Sequence, residues 1–180
     1  VVVRRVTMRL LMPAVTAFDF HKSLAAKGVK AGDILSENLS EMSIFMKSNY
    51  DCVVVGGGPA GCSAATIVAD NGFSTLLIER DPMPRFHVGE SLMPETYWPL
   101  QRLGLADRMR ASAFQVKKSV QFVNHDGRES APFFFRMHDD RDCSETWQVQ
   151  RSDFDQMMFE RAAETGADCH DQTRLMDVLF

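Results

Sequence analysis

YDCVVVGGGPAGCSAATIVADNGFSTLLIER, residues Tyr50 to Arg80, decides the fold. Val53, Val54 and Val55 make a β-branched run long enough for a buried strand and too short for a helix. Gly56-Gly57-Gly58-Pro59-Ala60-Gly61 follows at once, and the small residues from Cys62 to Asn71 suit a helix that Gly72 ends. Ser74 to Ile78 reads as the next strand, closed by Glu79, 18 residues after Gly61. Strand, glycine turn, helix and second strand with an acid at its tip is the pattern that holds a dinucleotide.

Each part has a physical task. Gly56 permits the tight turn out of the strand, Gly58 lets backbone approach a pyrophosphate, and Gly61 lets the helix pack closely on the sheet. Unpaired N–H groups at the helix start, with the positive end of its dipole, then face the phosphates. Glu79 can accept hydrogen bonds from the hydroxyls of an adenosine ribose. The competing reading is a glycine-rich turn with no ligand, but here the strand, the helix and the spaced acid all accompany it.

Composition narrows the classes. A chain of 180 residues can fill a single core, burying about 70% of its unfolded surface. A net charge of −4 gives no electrostatic footprint for nucleic acid or an anionic membrane. No apolar run approaches the ~20 residues of a membrane span. Cys52, Cys62, Cys143 and Cys169 form no CxxC pair and have no His at ligand spacing, so no metal site is expected. A reducing cytoplasm fits best.

Upstream, residues 1–46 do not share the design. Through Asn49 there are seven Lys/Arg against four Asp/Glu; from Tyr50 onward the count is thirteen against twenty. Arg9 and Pro13 interrupt any signal-peptide core. The segment is expected to be a poorly ordered or spurious extension, with Met42 or Met46 the natural first residue.

Downstream, Pro82 and Pro84 impose a stiff extended loop, residues 81–94. Arg85 offers a planar fork to a phosphate, and Gly89-Glu90-Ser91 offers close backbone and two polar side chains to a flat ring. Pro94 opens a helix through Leu103, and Leu105 to Ser112 forms another turn or short helix. SVQFVNH, Asp126-Gly127 and RESAPFFFR predict a hairpin over 119–136. His138-Asp139-Asp140 reads as solvated loop and Trp147 to Gln150 as a short strand. Ser152 with Asp155 makes an acidic capping box for a helix over 152–165, whose apolar face carries Phe154, Met157, Met158, Ala162 and Ala163. Leu175 to Phe180 starts a further strand.

Several of these stretches point to one family. GGGPAG with IER resembles the FAD-binding monooxygenase-like flavoproteins. VGESLMP (Val88–Pro94) resembles the flavin loop of flavin-dependent halogenases of the tryptophan-halogenase branch, and QVQRSDFD (Gln148–Asp155) resembles their Arg-x-x-Phe-Asp segment. FQVKKSVQF (Phe114–Phe122) is similar to the stretch that carries their catalytic lysine, which falls on Lys117.

The resemblance implies an α/β, Rossmann-like FAD-binding fold with three layers and a mostly parallel sheet, followed by the start of a β-rich substrate region. Residues 47–180 are then part of an FAD-binding domain: dinucleotide unit 50–80, flavin loop 81–94, hairpin region 114–150 and helix 152–165. It implies FAD contacts at Gly56, Gly58, Pro59, Ala60, Gly61, Glu79, Arg80, Arg85, Gly89, Glu90, Ser91 and Arg151. Reduced FAD from a separate flavin reductase meets oxygen, the resulting hydroperoxide oxidises a halide, and Lys117 handles the hypohalous acid. The substrate is a small, electron-rich aromatic ring, free or carrier-bound. Lys118 is a weaker candidate. The family is longer, and its WxWxIP signature does not occur here, so a fragment is expected. Two alternatives stand beside this reading: an FAD-dependent aromatic monooxygenase or related oxidoreductase, and an inactive nucleotide-binding remnant.

Overall fold

The computed structural model describes residues 7–11, 47 and 49–179. In chain order its elements are β1 (Thr7–Leu11), β2 (Cys52–Val55), α1 (Pro59–Asp70), β3 (Thr75–Ile78), α2 (Tyr97–Arg102), α3 (Ala106–Ala111) and β4 (Gln115–Lys117). Then come β5 (Ser119–Val120), β6 (Phe133–Phe134), β7 (Thr146–Gln148), α4 (Arg151–Glu164), β8 (Asp168–His170) and β9 (Arg174–Leu179). The chain divides into two compact units: residues up to Met83 together with Ala162 onward, and Pro84–Arg161.

In the first unit β2, β3 and β8 form a parallel sheet in that order, with Val53 opposite Leu76 and Leu77 opposite Cys169. Central β3 buries Thr75, Leu76, Leu77 and Ile78 alike, as a parallel strand covered on both faces must. Helix α1 buries Cys62, Ala65 and Thr66, small side chains that let it lie close to the sheet. It begins at Pro59, three residues before the predicted start, because proline's fixed φ suits the first helical position and its missing N–H is not needed there. The expectation for residues 1–46 lies outside the described residues, except that Thr7–Leu11 pairs antiparallel with β9.

The second unit packs Tyr97, Leu100, Leu103, Leu105 and Met109 of the α2–α3 region into a core with Trp147, Val149, Phe154 and Met158. Four expectations change here. The helix predicted from Pro94 opens as a 3-10 turn, Pro94–Thr96, before α2. The hairpin over 119–136 is paired only at Ser119–Val120 with Phe133–Phe134 and at a bridge from Val123 to Glu129. Its turn is wider than two residues, because Asn124 Oδ1 accepts from the N–H groups of both Asp126 and Arg128. Helix α4 starts at Arg151, so Ser152 sits inside the first turn with its hydroxyl on Asp153, and the Ser152–Asp155 capping box does not form. Ala163, assigned to the apolar face, is exposed.

Candidate functional site

The glycine turn has the geometry the sequence implies. Gly56 adopts φ +109°, and its N–H donates to Ile78 O at 2.7 Å, which joins the turn to β3. A Cβ on Gly61 would lie 1.9 Å from Gly56 O, so only glycine fits there. Gly58 caps α1 in an extended conformation, and no side chain closes the helix mouth. The first-turn N–H groups therefore remain available to an anion.

Glu79 is buried, and its carboxylate works within the chain. Oε2 accepts from Gly57 N–H at 2.7 Å and Oε1 from Asp81 N–H at 3.0 Å. The acid at the tip of β3 thus braces the glycine turn. Arg80 is exposed beside Asp81. In the same unit, Tyr50 Oη donates to Asp168 Oδ2 while His170 Nε2 lies 2.8 Å from Oδ1. Burial first, and the Asp168 hydrogen bond second, push the Tyr50 phenol up to about 12.

In the second unit the loop after Pro84 is pinned as a strand-like edge. Val149 N–H donates to Glu90 O, Ser91 bridges to Gln148, and Leu92 N–H donates to Trp147 O. Strand β7 carries this loop on one edge and β4 on the other, with Lys117 opposite Thr146. The Lys117 side chain returns across β7, and its Nζ donates to Ser91 Oγ at 2.7 Å and to Leu92 O at 3.3 Å. Lys117 is half-buried and Lys118 exposed.

Arg85, read as a phosphate partner, lies with Nη2 3.7 Å from Asp155 Oδ2. Arg151 donates to Asp155 through Nε and Nη2 and to Val88 O through Nη1. Sequence reasoning missed Asp155 as a site residue, although the four-residue spacing from Arg151 on a helix was a usable signal. A cavity of about 570 Å³ opens in this unit, bordered by Phe86, His87, Glu90, Phe114, Gln150 and Arg151 among others. That volume suits a small organic ligand or one ring system of a larger one.

At the acidic loop, Glu95, Asp139 and Cys143 bring ligand-type atoms within 4.8 Å of one another. Arg141 binds into the group, 2.6 Å from Asp139 and 3.7 Å from Glu95, and its hydrogen bonds hold the Asp139 carboxyl below the usual carboxylate range.

The parallel sheet, the glycine turn and the braced acid define a Rossmann-like dinucleotide fold. Residues 51–176 match the tryptophan halogenase family, and the chain belongs to it. It is 37% identical over 131 residues to a brominase of 1H-pyrrole-2-carbonyl groups on a peptidyl-carrier protein from Pseudoalteromonas luteoviolacea, covering 73% of this chain and 30% of that one. It is 33% identical to the flavin-dependent halogenase armH2 of Armillaria mellea, covering 74% of this chain and 25% of that protein. Among solved structures, the myxobacterial chondrochloren halogenase CndH superposes with a TM-score of 0.68 at 35% identity, over 73% of this chain and 30% of its own. A flavoprotein/dehydrogenase of Cytophaga hutchinsonii gives 0.67 at 35% identity, over 73% of this chain and 32% of its own. The chain spans less than a third of the length of these relatives. No helix among the described residues is long and apolar enough to cross a membrane.

Proposed function

We propose that this chain carries the cofactor-binding segment of a FAD-dependent halogenase acting on an electron-rich aromatic ring, free or carrier-bound, with hypohalous acid as the oxidant. The observation that carries the reading is the Lys117 amine seated on Ser91 and Leu92, inside the VGESLMP loop. A lysine belonging to a different sheet strand has no structural need to reach that loop.

The residues fit FAD in two separate respects. The turn from Gly56 to Gly61 is a backbone cradle that a Cβ at Gly61 would destroy, and it opens onto an uncapped helix mouth. The second unit has a cavity bordered by both loop and helix residues. Gly56, Gly58, Pro59, Ala60 and Gly61 would hold the pyrophosphate, with Glu79 and Arg80 toward the adenosine ribose. Arg85, Gly89, Glu90, Ser91 and Arg151 would border the flavin. Bound FAD supplies the oxygen-activating redox chemistry. Lys117 then orients the oxidant: its flexible stem carries an amine that can hydrogen-bond hypohalous acid and present it to the ring. Halide and a separate flavin reductase complete the system, in a cytoplasmic setting.

The test is a flavin titration. FAD should bind the chain more tightly than NAD, measured by flavin fluorescence quenching and NAD competition. Tighter NAD binding would overturn the cofactor reading, and absence of any flavin binding would favour the inactive remnant. A second reading, an FAD oxidoreductase or aromatic monooxygenase, is favoured by the similarity to the Cytophaga flavoprotein/dehydrogenase. Product analysis with bromide and chloride, on a longer protein carrying this segment, separates the two.

A further inference from the structure

We infer that Ser91 is a positioning residue for Lys117, and that its hydroxyl serves the amine rather than the flavin alone. The inference rests on the reading of Lys117 as the residue that handles the oxidant. Lys117 Nζ is held from three sides: Ser91 Oγ at 2.7 Å, Leu92 O at 3.3 Å, and the Phe135 ring, whose centroid lies 5.6 Å away. An ammonium has three donors, and here two meet oxygen acceptors while the charge faces a π-surface. A lysine kept only for solubility does not need such a socket.

The three walls differ in what supports them. Phe135 is a buried core residue, edge-on to Phe133, and is fixed by packing. Leu92 O is backbone, fixed because its own N–H donates to Trp147 O across the loop–β7 edge. Ser91 contributes a side chain, exposed and removable without disturbing either. Its backbone is nevertheless held in register with Gln148, so the hydroxyl has a fixed origin. Having accepted from Lys117, the hydroxyl keeps its own O–H for a second acceptor. Ser91 thus ties the amine to the loop, and any shift of the loop carries the amine with it.

Site-resolved acetylation tests the contact without any halogenation assay. The chain is treated with limiting acetic anhydride, and Lys117 and Lys118 are quantified by peptide mass spectrometry. An amine tied to two acceptors offers its nitrogen only after leaving them. Ser91→Ala should therefore raise the Lys117-to-Lys118 labelling ratio about three- to tenfold, the scale of a typical net hydrogen bond. Ser91→Thr, which retains the hydroxyl, should restore the original ratio. An unchanged ratio in Ser91→Ala, or equal rises at both lysines, would overturn the inference. FAD titration of the same variants supplies the contrast: lost flavin affinity with an unchanged ratio would return Ser91 to the flavin. The reading of Lys117 fails differently, through a Lys117→Ala enzyme that still halogenates, and that result leaves the labelling outcome untouched.

Discussion

Asp155, fully buried, receives both Nε (2.9 Å) and Nη2 (3.1 Å) of Arg151, one turn earlier on α4. Arg85 Nη2 lies 3.7 Å from the same carboxylate. One acid therefore organises two guanidinium groups. The fork also shapes the loop, since Arg151 Nη1 donates at 2.7 Å to Val88 O, just before Gly89 at φ +99°. A Cβ on Gly89 would come within 3.3 Å of that Nη1. Asp155, Arg151 and the Val88–Gly89 turn form one mechanical unit.

Asp155→Asn should disrupt that unit at nearly constant shape. Breaking a buried ion pair from one side costs about 3–5 kcal/mol, because the remaining charge keeps its desolvation penalty. Urea denaturation should show the loss, and limited proteolysis should cut the 86–90 loop faster. A change below about 1 kcal/mol, the size of an ordinary substitution, would mean the arginines find other partners at no cost.

Gly61→Ala probes the dinucleotide unit. The new methyl would stand 1.9 Å from a backbone oxygen that cannot swing aside, so α1 must move off the turn. Overpacking of this kind reaches about 3 kcal/mol, and flavin affinity should vanish with it. A melting curve and an FAD titration on the same sample report both. Retained binding would show that the turn tolerates a wider mouth than its backbone suggests.

Alkaline pH should weaken the first unit. Burial, then the Asp168 hydrogen bond, raises the Tyr50 phenol from 10.0 to about 12, and burial, then the nearby Asp168 charge, raises the Cys169 thiol from 9.0 to about 12. Both groups are held neutral by the fold. Their contribution is complete below the unfolded values and disappears as pH climbs through about 12. The denaturant midpoint should stay level from pH 7 to about 9 and fall between there and 12, with a shallower fall in Tyr50→Phe. A midpoint that rises across that window contradicts the sign.

Lys117→Ala, in a longer protein carrying this segment, should leave flavin oxidation running while halogenated product falls on the order of 100-fold or more. Lys118→Ala is the control, because Lys118 is the exposed neighbour. Equal losses would indicate damage to the β4–β7 pairing. Full halogenation by Lys117→Ala would leave a plain FAD oxygenase.

What the sequence by itself determined is local and covalent in character. Three valines followed by Gly56-Gly57-Gly58-Pro59 read as a strand entering a tight turn and a helix, since β-branching, φ freedom and the missing proline N–H act within a few residues. The motif spacings carried the family in the same way. Only the tertiary structure decided where the charges went. Asp155 reads as a helix cap because capping is a rule of near neighbours, yet burial beside Arg85, 70 residues away in sequence, makes it an ion-pair partner instead. Glu79 braces Gly57, and Lys117 crosses β7 to Ser91, for the same reason. A buried polar group must find a partner wherever the fold brings one, and sequence distance says nothing about which one that is.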